Sequence, residues 1–360
     1  MSLEPANFYS RTSGARKIIV VDLGFLGDSV HLIPALWELK RNYPEACLHT
    51  VSASVGAELL RLAPCVERAW AFPLAAPSPP WWRHWDLLRS LRRERFDAAF
   101  NFSGADRTIF VTAFTGAKQR VARAGGRKHF WQGWLIRDWV PRQPKTLPVY
   151  EQRRQLLAAC GLALATPKWE LRLPDSAVKQ VATVIPEPAI HFSLNASTPL
   201  KEWPLEHWIE LARQLLASDA DYRIIASGSR TPREQERLRA FGTALNDPRV
   251  KLLPETWGIP ELAAALKRCR VHVGGDSGVL HVAMALGLAT VAIFRDYAAK
   301  DEWLPRGPNH RHITSPCPCI KLTSPPCLAK NQARCLQEIA PAQVFALLRE
   351  LMHTPARANA

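Results

Sequence analysis

The sequence predicts an α/β fold built from two doubly wound units in tandem. Three observations carry this expectation. Short apolar runs alternate with helical patterns through both halves of the chain, as in βαβ units on a parallel sheet. Each half holds one apolar run that ends in a turn bearing glycine and aspartate and passes straight into a helix: "VVDLGFLGDSVH" from Val20 and "VGGDSGVLH" from Val273. A proline-punctuated stretch, Lys168 to Pro188, separates the halves. At 360 residues with 47% hydrophobic content, the chain can bury two cores of ordinary size.

In the first half, Lys17 to Asp22 (KIIVVD) reads as a strand followed by a helix to about Arg41. Pro34 is expected in the first turns of that helix, shortening or kinking its start. Cys47 to Ser52 (CLHTVS) and Phe96 to Phe102 (FDAAFNF) read as further strands. Between them, "LAAPSPPWWRHW" is a Pro-rich loop leading into a Trp- and Arg-rich helix, and "HFWQGWLIRDWVPRQPKTLP" is a second aromatic and basic segment. Both read as surface insertions. The second half repeats the alternation. Strands are expected at Ala189 to Leu194, Tyr222 to Ser227, Val271 to Gly274 and Thr290 to Phe294, and helices at Trp208 to Ser218, Pro232 to Phe241, Ile259 to Lys267 and Val279 to Leu286. The tail "APAQVFALLRELM" is an amphipathic helix.

The formal net charge is +15, and Trp81 to Arg154 alone holds sixteen Lys or Arg against six Asp or Glu. Such an excess suits nucleic acid, an anionic membrane surface or a phosphorylated substrate, and it equally suits a solubilising surface. The opening residues lack an apolar signal region, and no window reaches the roughly eighteen apolar residues of a membrane span. A cytosolic protein is expected. Eight cysteines without a secretory signal argue against a disulfide scaffold. Cys317, Cys319, Cys327 and Cys335 cluster, but their C-x-C-x7-C-x7-C spacing is not that of a zinc ribbon. They are a candidate structural metal set, with free or redox-labile thiols as the other reading.

Gly24 and Gly27 do not match the Gly-x-Gly-x-x-Gly of a dinucleotide site. The turn instead offers Asp28 at the carboxyl end of a strand, where ligands bind in open α/β sheets. Asp28 is either a base for a bound hydroxyl or only an N-cap of the following helix. His31, one turn on, shares its face. In the second turn, a helix starting at Ser277 or Gly278 would aim free N–H groups and a positive dipole end at a phosphate. "NASTPLKEWPLEHW", Asn195 to Trp208, adds Ser197, Thr198 and Lys201 directly after a strand.

In this order, "GDSVHLIPALWELKRNYP", "KEWPLEHW" and "GGDSGVLHVAMALGLATVAIF" resemble glycosyltransferase family 9, the ADP-heptose:lipopolysaccharide heptosyltransferases. The resemblance spans about Lys17 to Leu351 and includes the cysteine-bearing tail of some members. It implies a GT-B fold, two Rossmann-like domains facing each other across a cleft. Residues 1–174 would bind acceptor and 175–336 the nucleotide sugar. Residues 337–360 would form a C-terminal helix and tail, with packing back on the first domain as one outcome.

The resemblance further implies inverting transfer of heptose from ADP-L-glycero-D-manno-heptose to a lipopolysaccharide inner-core acceptor, with no cofactor required for catalysis. Asp28 matches the catalytic base, Lys201 the lysine on the donor diphosphate, Asp276, Ser277, Gly278 and His281 the nucleotide-sugar motif, and Ser197 a donor-contacting hydroxyl. Ala196 stands where many members carry a second hydroxyl. His31, Arg120 and Arg123 become candidate acceptor-binding residues. With Arg83, Arg89, Arg92, Arg93 and Arg127, these arginines would meet acceptor anions or an anionic inner membrane surface. Trp81, Trp82, Trp85, Trp131 and Trp134 would meet a membrane interface or sugar faces, or simply pack the core. The expected location is cytoplasmic, peripheral on the inner leaflet, with no nucleic acid partner. Two alternatives stand: the same fold with another donor or a protein or other glycan acceptor, and a non-enzymatic protein binding anionic ligands or nucleic acid.

Overall fold

Four consecutive β-branched residues, Ile18 to Val21, build the central strand β1 (Lys17–Val21) of the computed structural model, and all four are buried. A run this continuous suits a parallel strand covered on both faces. The structure describes residues 5–74, 81–125, 130–185, 188–317 and 326–353. Arg127 and Cys319 lie outside the described residues. The chain divides into two units, Met1–Arg172 and Leu173–Ala360.

In the first unit β1 is flanked by β2 (Cys47–Ala53) and β3 (Arg68–Phe72) on one side, and by β4 (Ala98–Asn101), β5 (Gln119–Arg123) and β6 (Asp138–Val140) on the other. Every neighbouring pair is parallel. The second unit repeats the plan with β7 (Ala189–Ser193), β8 (Ile224–Ser227), β9 (Val250–Leu252), β10 (Cys269–Gly275), β11 (Ala289–Ile293) and β12 (His310–Ile313), ordered β12-β11-β10-β7-β8-β9. Again all pairs are parallel. Both sheets are therefore doubly wound. In each, the order reverses beside the first strand, between β1 and β4 and between β7 and β10, and a ligand crevice opens at the carboxyl ends of such strand pairs.

The strands read directly from apolar runs are the interior ones. The four sheet edges β3, β6, β9 and β12, together with β5, escape that reading, because strands such as Gln119–Arg123 and His310–Ile313 are half polar and only partly buried. The helix after β1 spans Leu26–Asn42, so Asp28 lies in its first turn and is not its N-cap. Pro34 sits in the helix interior, and the helix runs on past it as one element. The terminal helix Pro341–His353 takes its partners from the second unit: Val344, Leu348 and Leu351 share a core with Trp203, Trp208 and Leu211. The indole of Trp203 anchors the segment before it, donating to the carbonyl of Ile339 at 3.0 Å.

Candidate active site

At the first unit's reversal point, β1 ends and the chain turns through Asp22, Gly24 and Gly27 into the helix. Asp22 Oδ1 accepts the Gly24 N–H at 2.9 Å, and Asp28 Oδ2 reaches back to accept the N–H of the N-cap residue Phe25 at 2.9 Å. Gly24 is a steric requirement of that geometry. A Cβ there would lie 2.5 Å from both Cβ and Cγ of Asp28.

Arg153, on the helix Val149–Ala159, closes the cluster from another part of the chain. Its Nη2 lies 2.8 Å from Asp22 Oδ2 and 3.2 Å from Asp28 Oδ1, while Nη1 donates to the Asp28 carbonyl. Burial pushes the Asp28 carboxyl above its ordinary range; Arg153 opposes this, Asp22 adds to it, and the Phe25 N–H and Arg123 oppose it more weakly. Desolvation wins, so Asp28 is a stronger base than an exposed aspartate. Capping and proton acceptance are thus compatible in one side chain.

Of the other acceptor-side candidates, Arg123 belongs to this cluster electrostatically and donates to the Ser103 carbonyl at 3.1 Å. Arg120 is directed elsewhere, onto the carbonyls of Leu135 at 2.7 Å and Ala117 at 2.8 Å. His31 is buried, stacked on Tyr150 with ring centroids 6.2 Å apart and edge-on to Trp169 at 6.0 Å.

At the second reversal point, β10 runs into Asp276, and Ser277 is the extended N-cap residue of the helix Gly278–Ala285. Lys201 Nζ pairs with Asp276 Oδ2 at 2.8 Å, and the Tyr297 hydroxyl donates to the same oxygen at 3.1 Å. Gly275 permits this approach, since a Cβ there would press to 3.1 Å on the Lys201 carbonyl. The Ser277 hydroxyl oxygen is buried with no hydrogen-bond partner among the described residues, and the same holds for both amide atoms of Asn195, just past β7. Buried polar groups are ordinarily satisfied, so orphaned ones at a strand end favour a ligand. His281, one turn into the helix, is buried against Trp303, and burial holds it neutral with its pKa down to about 4. Ser197 is exposed, and Ala196 is buried with its N–H on Glu202.

Sequence reading missed Asp22, Arg153, Tyr297 and Asn195. Only Asp22 and Asn195 carried a signal, their place immediately after an apolar strand; Arg153 and Tyr297 reach their carboxylates across 125 and 21 residues. It also missed a pair under the second site, His191 and His272, whose Nδ1 atoms lie 2.8 Å apart on adjacent strands. The cysteines show partial convergence: the Cys335 thiol is raised by burial and also feels Cys317 and Cys327. No group of three or more His, Cys, Asp or Glu side chains placed to hold a metal occurs among the described residues.

Two solved structures share this fold. Escherichia coli ADP-heptose lipopolysaccharide heptosyltransferase II matches with a TM-score of 0.75 at 23% identity, over 93% of this chain and 98% of that one. An E. coli heptosyltransferase with ADP-2-deoxy-2-fluoro heptose matches with a TM-score of 0.70 at 20% identity, over 93% of this chain and 99% of that one. The paired doubly wound units are those of the GT-B glycosyltransferases. More narrowly, the model of glycosyltransferase family 9 (heptosyltransferase) matches residues 84–332, and the chain belongs to that family. In sequence it is 24% identical over 308 residues to lipopolysaccharide heptosyltransferase 2 of E. coli K12, covering 77% of this chain and 82% of that relative.

Proposed function

We propose that this glycosyltransferase moves heptose from ADP-heptose to the inner core of lipopolysaccharide, with inversion and without a catalytic metal. The observation that carries the reading is the second reversal point, where the Lys201–Asp276 pair lies beside an orphaned Ser277 hydroxyl at a helix N-terminus. In this reading the second unit holds the donor. A diphosphate draws Lys201 from Asp276 and takes hydrogen bonds from Ser277 Oγ and the first N–H groups of the helix, which stabilise the departing charge. Ser197 and His281 complete the donor set.

The first unit holds the acceptor, with Asp28 as base and His31 and Arg123 on the acceptor side; Arg120, tied to the carbonyls of Leu135 and Ala117, has no part in it. The acceptor hydroxyl gives its proton to an Asp28 oxygen as its oxygen bonds to the anomeric carbon. The bond from that carbon to the phosphate oxygen breaks on the opposite face, and ADP leaves with the electron pair. A structural metal on Cys317, Cys319, Cys327 and Cys335 would have no part in this step.

The reading places the protein on the cytoplasmic face of the inner membrane. No helix among the described residues is long and apolar enough to cross a membrane. Three neighbouring helices, Trp85–Arg93, Asp106–Phe114 and Gln132–Leu135, and the turn before the last of them present exposed aromatic rings: Trp85 is edge-on to Phe114 at 6.3 Å, and Phe130 of that turn to Trp134 at 5.9 Å. Exposed Arg83, Arg89, Arg92 and Arg93 flank them. Aromatic rings beside arginines suit an anionic lipid interface.

The test is incubation of the purified protein with ADP-heptose and truncated lipopolysaccharide acceptors, with products weighed and their anomeric configuration read by NMR. A single added heptose of inverted configuration is expected. Transfer only from another nucleotide sugar, or only to a protein, would overturn the assignment, and retained configuration would overturn the mechanism.

A further inference from the structure

Arg153 and its neighbour Arg154 both leave the helix Val149–Ala159 to pair with carboxylates around the helix Leu26–Asn42, yet their settings differ. Arg154 Nε and Nη2 hold Glu38 Oε1 at 3.1 and 2.9 Å, and a further donation from Nη2 ties the Ala165 carbonyl. That pair lies near the C-terminal end of the Leu26–Asn42 helix and is buried on both sides. It joins two helices and a loop. Arg153 sits instead at the end of β1, bridging two carboxylates, one of which remains part-exposed.

We propose that Arg153 is a positioning residue for the acceptor-side base, holding Asp28 in one orientation and in its ionised form, with Asp22 as the counterweight that fixes Arg153. The inference rests on the reading of Asp28 as the base. Geometry supports it first. Among the described residues, each Asp28 side-chain oxygen has one protein donor, Phe25 N–H on Oδ2 and Arg153 Nη2 on Oδ1, and Arg153 Nη1 also holds the Asp28 carbonyl. Side chain and backbone of one residue are thus held by a single rigid fork, which a lysine would not reproduce. The Asp28 side chain still exposes 26% of its surface, against 8% for Arg153 and 5% for Asp22, so a lone pair remains open to an incoming hydroxyl.

Electrostatics supports it second. The charged groups acting on Asp28 are Asp22 at the end of β1, Arg153 from the Val149–Ala159 helix and Arg123 at the end of β5, and Arg142 acts in turn on Arg123. Two carboxylates sharing a buried site resist joint ionisation, and a cation shared by both relieves that conflict. Asp22 and Arg153 therefore push the Asp28 proton affinity in opposite directions.

The test is the pH dependence of kcat/KM for heptose transfer in four variants, beside thermal melting and ADP binding. Arg153→Gln is expected to move the acid limb upward by about one pH unit or more, as loss of a close opposite charge does. Asp22→Asn is expected to move it downward. Arg153→Lys keeps the charge but loses the fork; its acid limb should stay near that of the parent while kcat falls at least about tenfold. Arg154→Gln should melt earlier without moving the limb. If Arg153→Gln does not fold, the downward shift in Asp22→Asn and the kcat loss in Arg153→Lys still decide the matter. An unmoved limb in Arg153→Gln, or limbs displaced in the same direction by Arg153→Gln and Asp22→Asn, would overturn the role of Arg153 alone. Asp28→Asn separates the two readings: full activity there removes the base, and the inference with it.

Discussion

Lys201 and Asp276, 75 residues apart, meet as an ion pair of 2.8 Å at the carboxyl end of β10, and the Tyr297 hydroxyl shares the same Asp276 oxygen. The lysine is about one-third exposed, so the pair contributes little to stability through its Coulomb energy. Its value lies in placing a cation beside the N-terminus of the Gly278–Ala285 helix.

Lys201→Ala is accordingly expected to lower transfer by about 100-fold or more, as loss of one charge-stabilising donor does, with a small change in melting temperature. Steady-state rates with ADP-heptose and a melting curve check both halves. A variant within threefold of the parent would remove Lys201 from the donor site.

Ser277→Ala separates function from stability in the other direction. The hydroxyl is buried and has no partner among the described residues, so its removal should leave the melting temperature unchanged or slightly raised. Affinity for ADP-heptose, measured by calorimetry, should weaken by about tenfold if the hydroxyl donates to the diphosphate. A destabilised variant with unchanged affinity would show the hydroxyl to be structural.

Gly24→Ala tests how the turn before Asp28 is built. The added Cβ must displace the Asp28 side chain, which lies 2.5 Å away. A shift of about 1 Å in a reacting group is enough to lower kcat by about 100-fold. Unchanged kcat with unchanged stability would mean that the turn can yield without moving the carboxylate.

Melting temperature should fall in acid before the carboxylates titrate. His191 and His281 are buried neutral, with pKa values pushed down to about 3 and about 4, and His272 is lowered as well. An unfolded histidine binds its proton near pH 6.5, so the folded state is fully stable above that value. Stability is then lost as pH falls from 6.5 through about 4, at about 1.4 kcal/mol per pH unit for each histidine. A melting temperature that is flat between pH 7 and pH 5 would contradict the neutral buried pair.

The sequence by itself determined the interior strands of each sheet except β5, and the two glycine–aspartate turns. Continuous apolar runs such as Ile18 to Val21 must be covered on both faces, and a glycine–aspartate turn after such a run must fall at a carboxyl strand end. Asp28, Asp276 and Ser277 were legible as strand-end residues for that reason. Only the tertiary structure decided the edge strands β6, β9 and β12, because these short, half-polar segments gain their conformation from pairing with a neighbour and not from an apolar run of their own. The same holds for the partners of the carboxylates. Arg153 on Asp22 and Asp28, Tyr297 on Asp276 and the facing rings of His191 and His272 are contacts between residues distant in sequence. Local pattern specifies which strand end carries a carboxylate, whereas its proton affinity depends on how deeply the fold buries it and on which charge the fold brings beside it.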